Sequence, residues 1–165
     1  TKHGNRKVIF ILGKGQLLNQ SIVSKKPNAL FCEAVCPVKV IEIAEEQFLQ
    51  LMEQSHALTR AVLREYERNL WRMGHQLKNT TGNMQMERKI AAKLWKLGRD
   101  FGVDTEDGVM IDIDLTITLM ADLVGAPREN VSRACKVLTD RGLIRYGNKR
   151  FILTDSDGLA EFYKM

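Results

Sequence analysis

The sequence lacks any long hydrophobic run. Its longest apolar stretch extends only from Val8 to Leu12, whereas a helix needs about 20 consecutive apolar residues to cross a bilayer. No signal-peptide pattern opens the chain, so we expect a soluble, cytoplasmic protein. Cysteine is scarce as well. Cys32, Cys36 and Cys135 form an odd set without a regular spacing, which favours a reducing compartment over a disulfide-stapled secreted domain.

The sequence also lacks the residue arrangements that catalysis needs. It shows no Ser/His/Asp or Cys/His set, no paired carboxylates and no phosphate-binding loop, because "GKGQ" at 13–16 has no downstream Gly-Lys-Ser/Thr. "DSDG" at 155–158 lacks the remaining ligands of a calcium loop and predicts a turn. We therefore expect no enzyme, and no metal site in these segments.

Charge is unevenly distributed along the chain. Residues 104–122 hold six acidic residues and no basic one, while residues 128–150 hold seven basic and two acidic residues, a net charge of +5. Such clustering is typical of a surface that binds nucleic acid. A basic face that only contacts water is the alternative.

The first half of the chain predicts strands followed by a long helix. "KVIFILGKGQLL" and "ALFCEAVCPVKVIEI" predict three strands within residues 1–46. A helix with a hinge at Gly82-Asn83 is expected over residues 47–83. Its heptad spacing predicts the seam of a symmetric coiled-coil dimer, with packing against the strands as the alternative. The seam residues are Leu63, Tyr66, Leu70, Met73 and Leu77.

Residues 84–165 predict a winged helix-turn-helix. After a first helix and the short strand "GVMIDIDL", two short helices over about 117–124 and 127–140 meet at Gly125-Ala126. "LIRYGNKRFILT" then predicts a hairpin with Gly147-Asn148 at its turn. Two helices joined by a short Gly-containing turn and followed by a hairpin are typical of this motif.

The second of these short helices has the residues of a recognition helix. Helical periodicity places Val131, Ala134, Val137 and Leu138 on a buried stripe. Arginine can pair with guanine O6 and N7, and glutamate can accept from cytosine N4. An ordinary amphipathic surface helix is the alternative. The opposite, outward face carries Arg128, Glu129, Ser132, Arg133 and Lys136.

The stretch "ITLMADLVGAPRENVSRACKVLTDRGLI", with its "RExxSR" pattern, resembles the DNA-binding motif of the cyclic-AMP receptor protein and fumarate–nitrate regulator (CRP/FNR) family of bacterial transcription factors. "VIFILGKGQLLNQ" and "NALFCEAVCPVKVIEI" resemble the later strands of that family's β-roll. The resemblance implies an α+β fold: part of an effector-sensing β-roll over residues 1–46, a dimerisation helix and hinge over 47–83, and a winged helix-turn-helix over 84–165. It also implies that the family's first strands are missing from this chain.

The resemblance further implies a homodimer that regulates transcription from palindromic double-stranded DNA, with half-sites related to TGTGA or TTGA. RNA polymerase would be a partner if the protein is an activator. The alternative is a small-molecule sensor or interaction module whose winged domain contacts protein rather than DNA. The implied base contacts are Arg128, Glu129 and Arg133. The implied phosphate contacts are Thr116, Thr118, Ser132 and Lys136.

Family members bind a small-molecule effector between the β-roll and the long helix. Where the cyclic-nucleotide branch has Gly-Glu and Arg-Ser pairs, this chain has Asn19-Gln20 and Asn28-Ala29. The charged partner of the phosphate is missing, so cyclic AMP is disfavoured. The expected pocket residues are Gln20, Asn28, Ala29 and His75, with a purely interfacial role for His75 as the alternative.

The cofactor stays unknown at this point. Cys32 and Cys36 are too few for an iron-sulfur cluster, and we expect both to be buried structural residues, with a metal or redox pair as the alternative. Haem or a cluster stays open, because the missing strands could carry further ligands.

Overall fold

The computed structural model describes residues 6–18, 21–23, 26–80 and 84–164, without the side chains of 77–80. These residues form two compact units, one of residues 12–80 and one that combines 6–11 with 84–164. Within the described ranges, every helix is too short or too polar to cross a membrane. The helices are α1 (Glu45–Gln54), α2 (His56–Thr80), α3 (Met86–Phe101), α4 (Ile117–Val124), α5 (Arg128–Asp140) and α6 (Ser156–Lys164). The strands are β1 (Gly102–Thr105), β2 (Gly108–Ile111), β3 (Ile144–Gly147) and β4 (Arg150–Leu153).

The second unit is built around α3. Ile90 and Leu94 of this helix are fully buried, and α5 and α6 both pack against it. One four-stranded antiparallel sheet in the order β1-β2-β4-β3 completes the unit. In this sheet Leu153 pairs with Val109 on one side and with Ile144 on the other. The hairpin of β3 and β4, which is the wing, is therefore hydrogen-bonded through β4 to the hairpin of β1 and β2.

Two expected turns differ in detail. The wing turns at Asn148 and Lys149, which both have positive φ (51° and 61°), rather than at Gly147-Asn148. Two consecutive residues with positive φ form the turn whose twist matches a two-residue hairpin. "DSDG" is the start of α6 rather than a turn, because the Asp155 carboxylate accepts a hydrogen bond from the Gly158 N–H at 2.8 Å and so caps the helix.

The strands expected between residues 6 and 46 are absent from the described part of that segment, which is irregular chain with a few turns and bends until α1 begins at Glu45. A strand needs a neighbouring strand to pair its N–H and C=O groups, and the described residues supply none. Apolar side chains such as Phe31 and Ile41 are exposed accordingly. Near the start, Val8 N–H donates to the carbonyl oxygen of Asp122 in α4 at 3.1 Å, and Arg6 lies 3.4 Å from the Asp122 carboxylate.

The long helix expected from residue 47 is two helices. Ser55 has an extended conformation, with φ −130° and ψ 97°, and its Oγ accepts a hydrogen bond from Leu58 N–H at 3.2 Å. A serine that caps the following helix ends the preceding one. The helix predicted to mediate dimerisation therefore corresponds to α2. The predicted hinge at Gly82-Asn83 lies outside the described residues.

Candidate nucleic-acid interface

The turn between α4 and α5 fixes how the second helix is presented. Gly125 ends α4 in the left-handed conformation, with φ 69° and ψ 45°. Its N–H and that of Ala126 both donate to the Ala121 carbonyl, at 2.8 and 3.1 Å. Pro127 then precedes the first helical residue of α5. The bounds of both helices confirm the sequence-based prediction of a helix-turn-helix.

The buried side of α5 differs from the expected stripe at one position. Val131, Ala134, Cys135 and Leu138 are buried, whereas Val137 is 37% exposed. Spacings of three and four residues place Cys135, not Val137, on the inward face. Burial raises the pKa of the Cys135 thiol from 9.0 to about 11. Cys135 is thus a neutral packing residue of the recognition helix at physiological pH.

The outward side of α5 matches the expectation from the sequence. The Arg133 side chain forms hydrogen bonds with residues of its own helix. Its Nη2 donates to the Asn130 side-chain oxygen at 2.6 Å, and its Nε donates to the Glu129 carbonyl at 3.5 Å. Asn130 was not among the residues predicted from the sequence, although an Asn three residues before an Arg on a helix is a signal for such a pair. The predicted contact residues on this face are all exposed: Arg128, Glu129, Ser132, Arg133 and Lys136.

The two threonines expected to contact phosphates have different positions. Thr116 is the N-cap of α4, and its Oγ1 accepts a hydrogen bond from Leu119 N–H at 3.0 Å. A hydroxyl that accepts in this way can still donate its own hydrogen to a phosphate. Thr118 lies in the first turn of the same helix and is exposed. Both positions suit an anion at a helix N-terminus.

The acidic and basic segments of the sequence meet at the wing. Arg145 of β3 lies 2.5 Å from the Asp107 carboxylate, and Arg150 of β4 forms ion pairs with Asp112 and Asp114. Part of the basic cluster is thus neutralised by the acidic segment of the same chain. These two wing arginines therefore offer less free positive charge to a polyanion than the charge of residues 128–150 suggests.

The predicted seam of α2 lies beside a buried face. Val62 and Asn69 are buried within the chain itself, at 4% and 7% exposure. Leu63 and Leu70, each one residue further along, are 60% and 73% exposed. Met73 is exposed and Tyr66 is half-buried, while the side chain of Leu77 lies outside the described set. A row of exposed apolar side chains on one helix indicates a surface that another molecule covers.

Among the described residues, none of the expected effector residues lines either of the two best-formed cavities. Asn28 and Ala29 are exposed, Gln20 lies outside the described residues, and the His75 ring lies 3.9 Å from the Trp71 ring, centroid to centroid. A groove of about 580 Å³ in the second unit is lined by other residues, namely Gln85, Met86, Glu87, Arg88, Val137, Arg141 and Phe162. The effector site remains a prediction.

The expectation that Cys32 and Cys36 are buried is wrong. Both thiols are exposed, because the segment that carries them has no strand partner among the described residues to cover it. Within those same residues, no three His, Cys, Asp or Glu side chains come together as a metal site would require.

Comparison with known proteins agrees with this geometry. Residues 88–162 match the family model described as a Crp-like helix-turn-helix domain. The chain is 25% identical over 158 residues to a protein of Mycobacterium tuberculosis named CRP-like cAMP-activated global transcriptional regulator, a match that covers 95% of this chain and 70% of the relative.

Solved structures share the fold at lower identity. A mutant of CooA from Carboxydothermus hydrogenoformans superposes with a TM-score of 0.64 at 18% identity, over 72% of this chain and 54% of that one. A transcriptional regulator of the CRP/FNR family from Thermus thermophilus superposes with a TM-score of 0.57 at 23% identity, over 66% and 55%. The chain thus spans slightly more than half the length of these two structures.

Proposed function

Because the chain belongs to the CRP/FNR family and carries its helix-turn-helix domain, we propose that it regulates transcription by binding palindromic DNA as a homodimer. The observation that carries this proposal is the outward face of α5. Its predicted contact residues are all exposed, while a fully buried Val131 and Leu138 anchor the helix in the core. A rigid helix with exposed Arg and Glu in its first two turns is what a major groove admits.

The roles of individual residues follow from their chemistry and position. Arg128 and Glu129 lie in the first turn of α5, the end of a recognition helix that approaches base edges. Arg128 and Arg133 would pair with guanines and Glu129 with a cytosine. Half-sites related to TGTGA or TTGA fit this set. Phosphate contacts would come from Thr116, Thr118, Ser132 and Lys136.

Two recognition helices would be presented together by a dimer formed through α2. The exposed apolar row of Leu63, Leu70 and Met73 supplies the surface for pairing with a second copy. A two-fold symmetric dimer matches a palindrome whose half-sites lie one helical turn, about 34 Å, apart. An activator of this kind would also contact RNA polymerase.

A small-molecule effector bound to the first unit would control how the α2 helices of the two copies pack against each other. The Mycobacterium tuberculosis relative is named for activation by cAMP, but Asn28 and Ala29 offer no positive charge to a cyclic phosphate. We therefore expect that cyclic AMP at about 1 mM, which would half-fill a site with a Kd of about 1 mM, leaves the DNA affinity unchanged in fluorescence anisotropy. A cyclic AMP-dependent gain in affinity would show that another residue binds the phosphate.

Footprinting and salt titration test the proposal together. The full chain should protect two half-sites of a palindrome selected from a randomised duplex library. Its affinity should fall steeply with salt, because each neutralised phosphate releases about 0.9 counterions. A chain that protects no palindrome, or whose affinity is insensitive to salt, would instead have a winged domain that contacts protein.

A further inference from the structure

The Arg133 guanidinium has two edges that can each form a pair of hydrogen bonds. The side-on edge consists of Nε and Nη2, and the end-on edge consists of Nη1 and Nη2. In this structure the side-on edge faces the protein, since Nη2 donates to Asn130 at 2.6 Å and Nε to the Glu129 carbonyl at 3.5 Å. Of the five N–H groups of an arginine, these two bonds leave the end-on pair for another acceptor.

The direction in which these two hydrogen bonds draw the Arg133 guanidinium determines which part of the DNA it can reach. Asn130 and the Glu129 carbonyl lie three and four residues before Arg133, so both draw the guanidinium toward the N-terminal end of α5. That is the end of a recognition helix that approaches base edges. The end-on edge is thereby aimed where a guanine would lie.

We propose that Asn130 is a positioning residue that holds Arg133 by its side-on edge and so sets the strength of its guanine discrimination. This inference rests on the proposed function, since it concerns the same DNA-binding face. An arginine side chain loses much rotamer freedom when it makes a bidentate contact. The two hydrogen bonds already restrict the rotamers of Arg133 in the free protein, so less conformational entropy is lost when it pairs with a guanine. This gain applies only to the preferred base and therefore increases discrimination.

Asn130 can be changed without damage to the core. It is exposed on the surface of α5, and alanine has a higher helix propensity than asparagine. Asn130→Ala therefore removes the acceptor and leaves the buried stripe intact. Asn130→Asp keeps an acceptor oxygen for Arg133 but adds a negative charge. Asp140→Asn, at the exposed far end of the same helix, serves as the matched control.

The test uses the full chain and the palindrome selected from a randomised library. Arg133→Ala first identifies the guanine that this residue recognises. Discrimination is then the ratio of two Kd values, for duplexes with G·C or A·T at that position in both half-sites. Asn130→Ala should reduce this ratio roughly three- to tenfold and leave other positions unchanged. Asn130→Asp should keep the ratio while weakening binding to all sequences, and Asp140→Asn should leave the ratio unchanged.

The double variant separates positioning from a direct contact. With Arg133→Ala already present, Asn130→Ala should have no further effect on discrimination. An equal loss in both backgrounds would mean that Asn130 contacts DNA itself, and an unchanged ratio in the single variant would mean that it positions nothing. Either result overturns the inference while the proposed function stands.

A measurement without DNA tests the hold of Asn130 on Arg133 separately from the proposed function. In the free protein, the Arg133 Nη2–H groups should exchange with water more slowly than those of Arg128 in nitrogen-15 NMR spectra, and Asn130→Ala should remove most of this difference. Equal exchange in the unchanged protein would overturn the inference. Absence of any sequence preference in the unchanged protein would instead overturn the proposed function.

Discussion

The proposed function gives neighbouring residues on α5 different tasks, because base edges and phosphates carry different information. Arg128 and Glu129 in the first turn can reach groups that differ from base to base, whereas Lys136 lies two turns further on. Phosphates are the same in every sequence and position the protein without specifying the site. The chemistry of each side chain therefore predicts how its loss changes binding.

Substitutions on α5 should separate the two tasks. Glu129→Ala is expected to relax preference at one base position, at a cost of roughly 1–3 kcal/mol for the preferred duplex. Lys136→Ala should weaken binding to all duplexes alike and lower the salt dependence by about one counterion. Competition anisotropy with single-base variants of the selected palindrome measures both. A uniform loss for Glu129→Ala would contradict its assignment to a base.

Cys135 connects burial to pH dependence. Its pKa rises from 9.0 to about 11 on burial, so the folded protein keeps the thiol proton where the unfolded chain would lose it. The stabilisation is complete below pH 9 and is lost as the pH rises toward 11. The total effect is at most about 3 kcal/mol, since one pKa unit corresponds to about 1.36 kcal/mol.

Urea unfolding between pH 8 and 11 checks this expectation. The free energy of unfolding should fall more steeply with pH in the unchanged protein than in Cys135→Ala, because the alanine variant has no thiol to ionise. Parallel curves would show that Cys135 ionises equally in both states. The comparison uses slopes, since the smaller alanine also lowers stability by leaving a cavity.

At the scale of elements, the second unit was the easier to predict. The bounds of α4 and α5 follow from local signals, namely Thr116 as an N-cap, Gly125 as a C-terminal residue with positive φ, and a regular apolar spacing. The short strand β1 and the helix α6 were missed. Asp155 was the available signal for α6, because an Asp that precedes a helix is a favourable cap.

The first unit was harder to predict because its elements depend on distant partners. Runs such as "VIFIL" have strand propensity, but a strand forms only where another strand pairs with it. Ser55 divides the expected helix, and its side chain accepts a local hydrogen bond from Leu58 that competes with helix continuation. Apolar patterning alone therefore overestimated both the strands and the length of the helix.

Thr116 should affect folding and binding, and Thr118 binding alone. Thr116→Ala removes the cap of α4 and is expected to cost about 1 kcal/mol of stability, whereas exposed Thr118→Ala should leave stability within about 0.5 kcal/mol. Thermal unfolding compares the two, with Thr116→Ser as a control that retains the hydroxyl. An unchanged melting temperature in Thr116→Ala would show that the cap contributes nothing.

At the scale of the whole molecule, the important asymmetry lies around α2. One face, with Val62 and Asn69, is buried within the chain, and the adjacent face, with Leu63 and Leu70, is exposed. On a helix of about 3.6 residues per turn, Leu63 and Leu70 lie within roughly 20° of each other. This alignment is what a coiled-coil seam requires.

A charge on this seam should prevent assembly without unfolding the chain. Leu70→Asp is expected to shift the protein from dimer to monomer in sedimentation velocity at micromolar concentration, because a buried unpaired carboxylate is strongly unfavourable. Its circular dichroism should stay unchanged, since Leu70 is exposed in the single chain. Glu67→Gln, an exposed change on the same helix, is the control. A Leu70→Asp protein that still sediments as a dimer would place the interface elsewhere.

The placement of the two tryptophans gives each unit its own optical signal. Trp95 of α3 lies half-buried, 5.8 Å from the Tyr163 ring and 5.1 Å from the Arg99 guanidinium. Trp71 of α2 is 60% exposed on the helix that carries the seam. Indole emission shifts to shorter wavelength when water is excluded, so Trp95→Phe leaves a fluorophore that reports on α2. Trp71→Phe leaves one that reports folding of the winged unit, and the two signals can be followed separately in one chain.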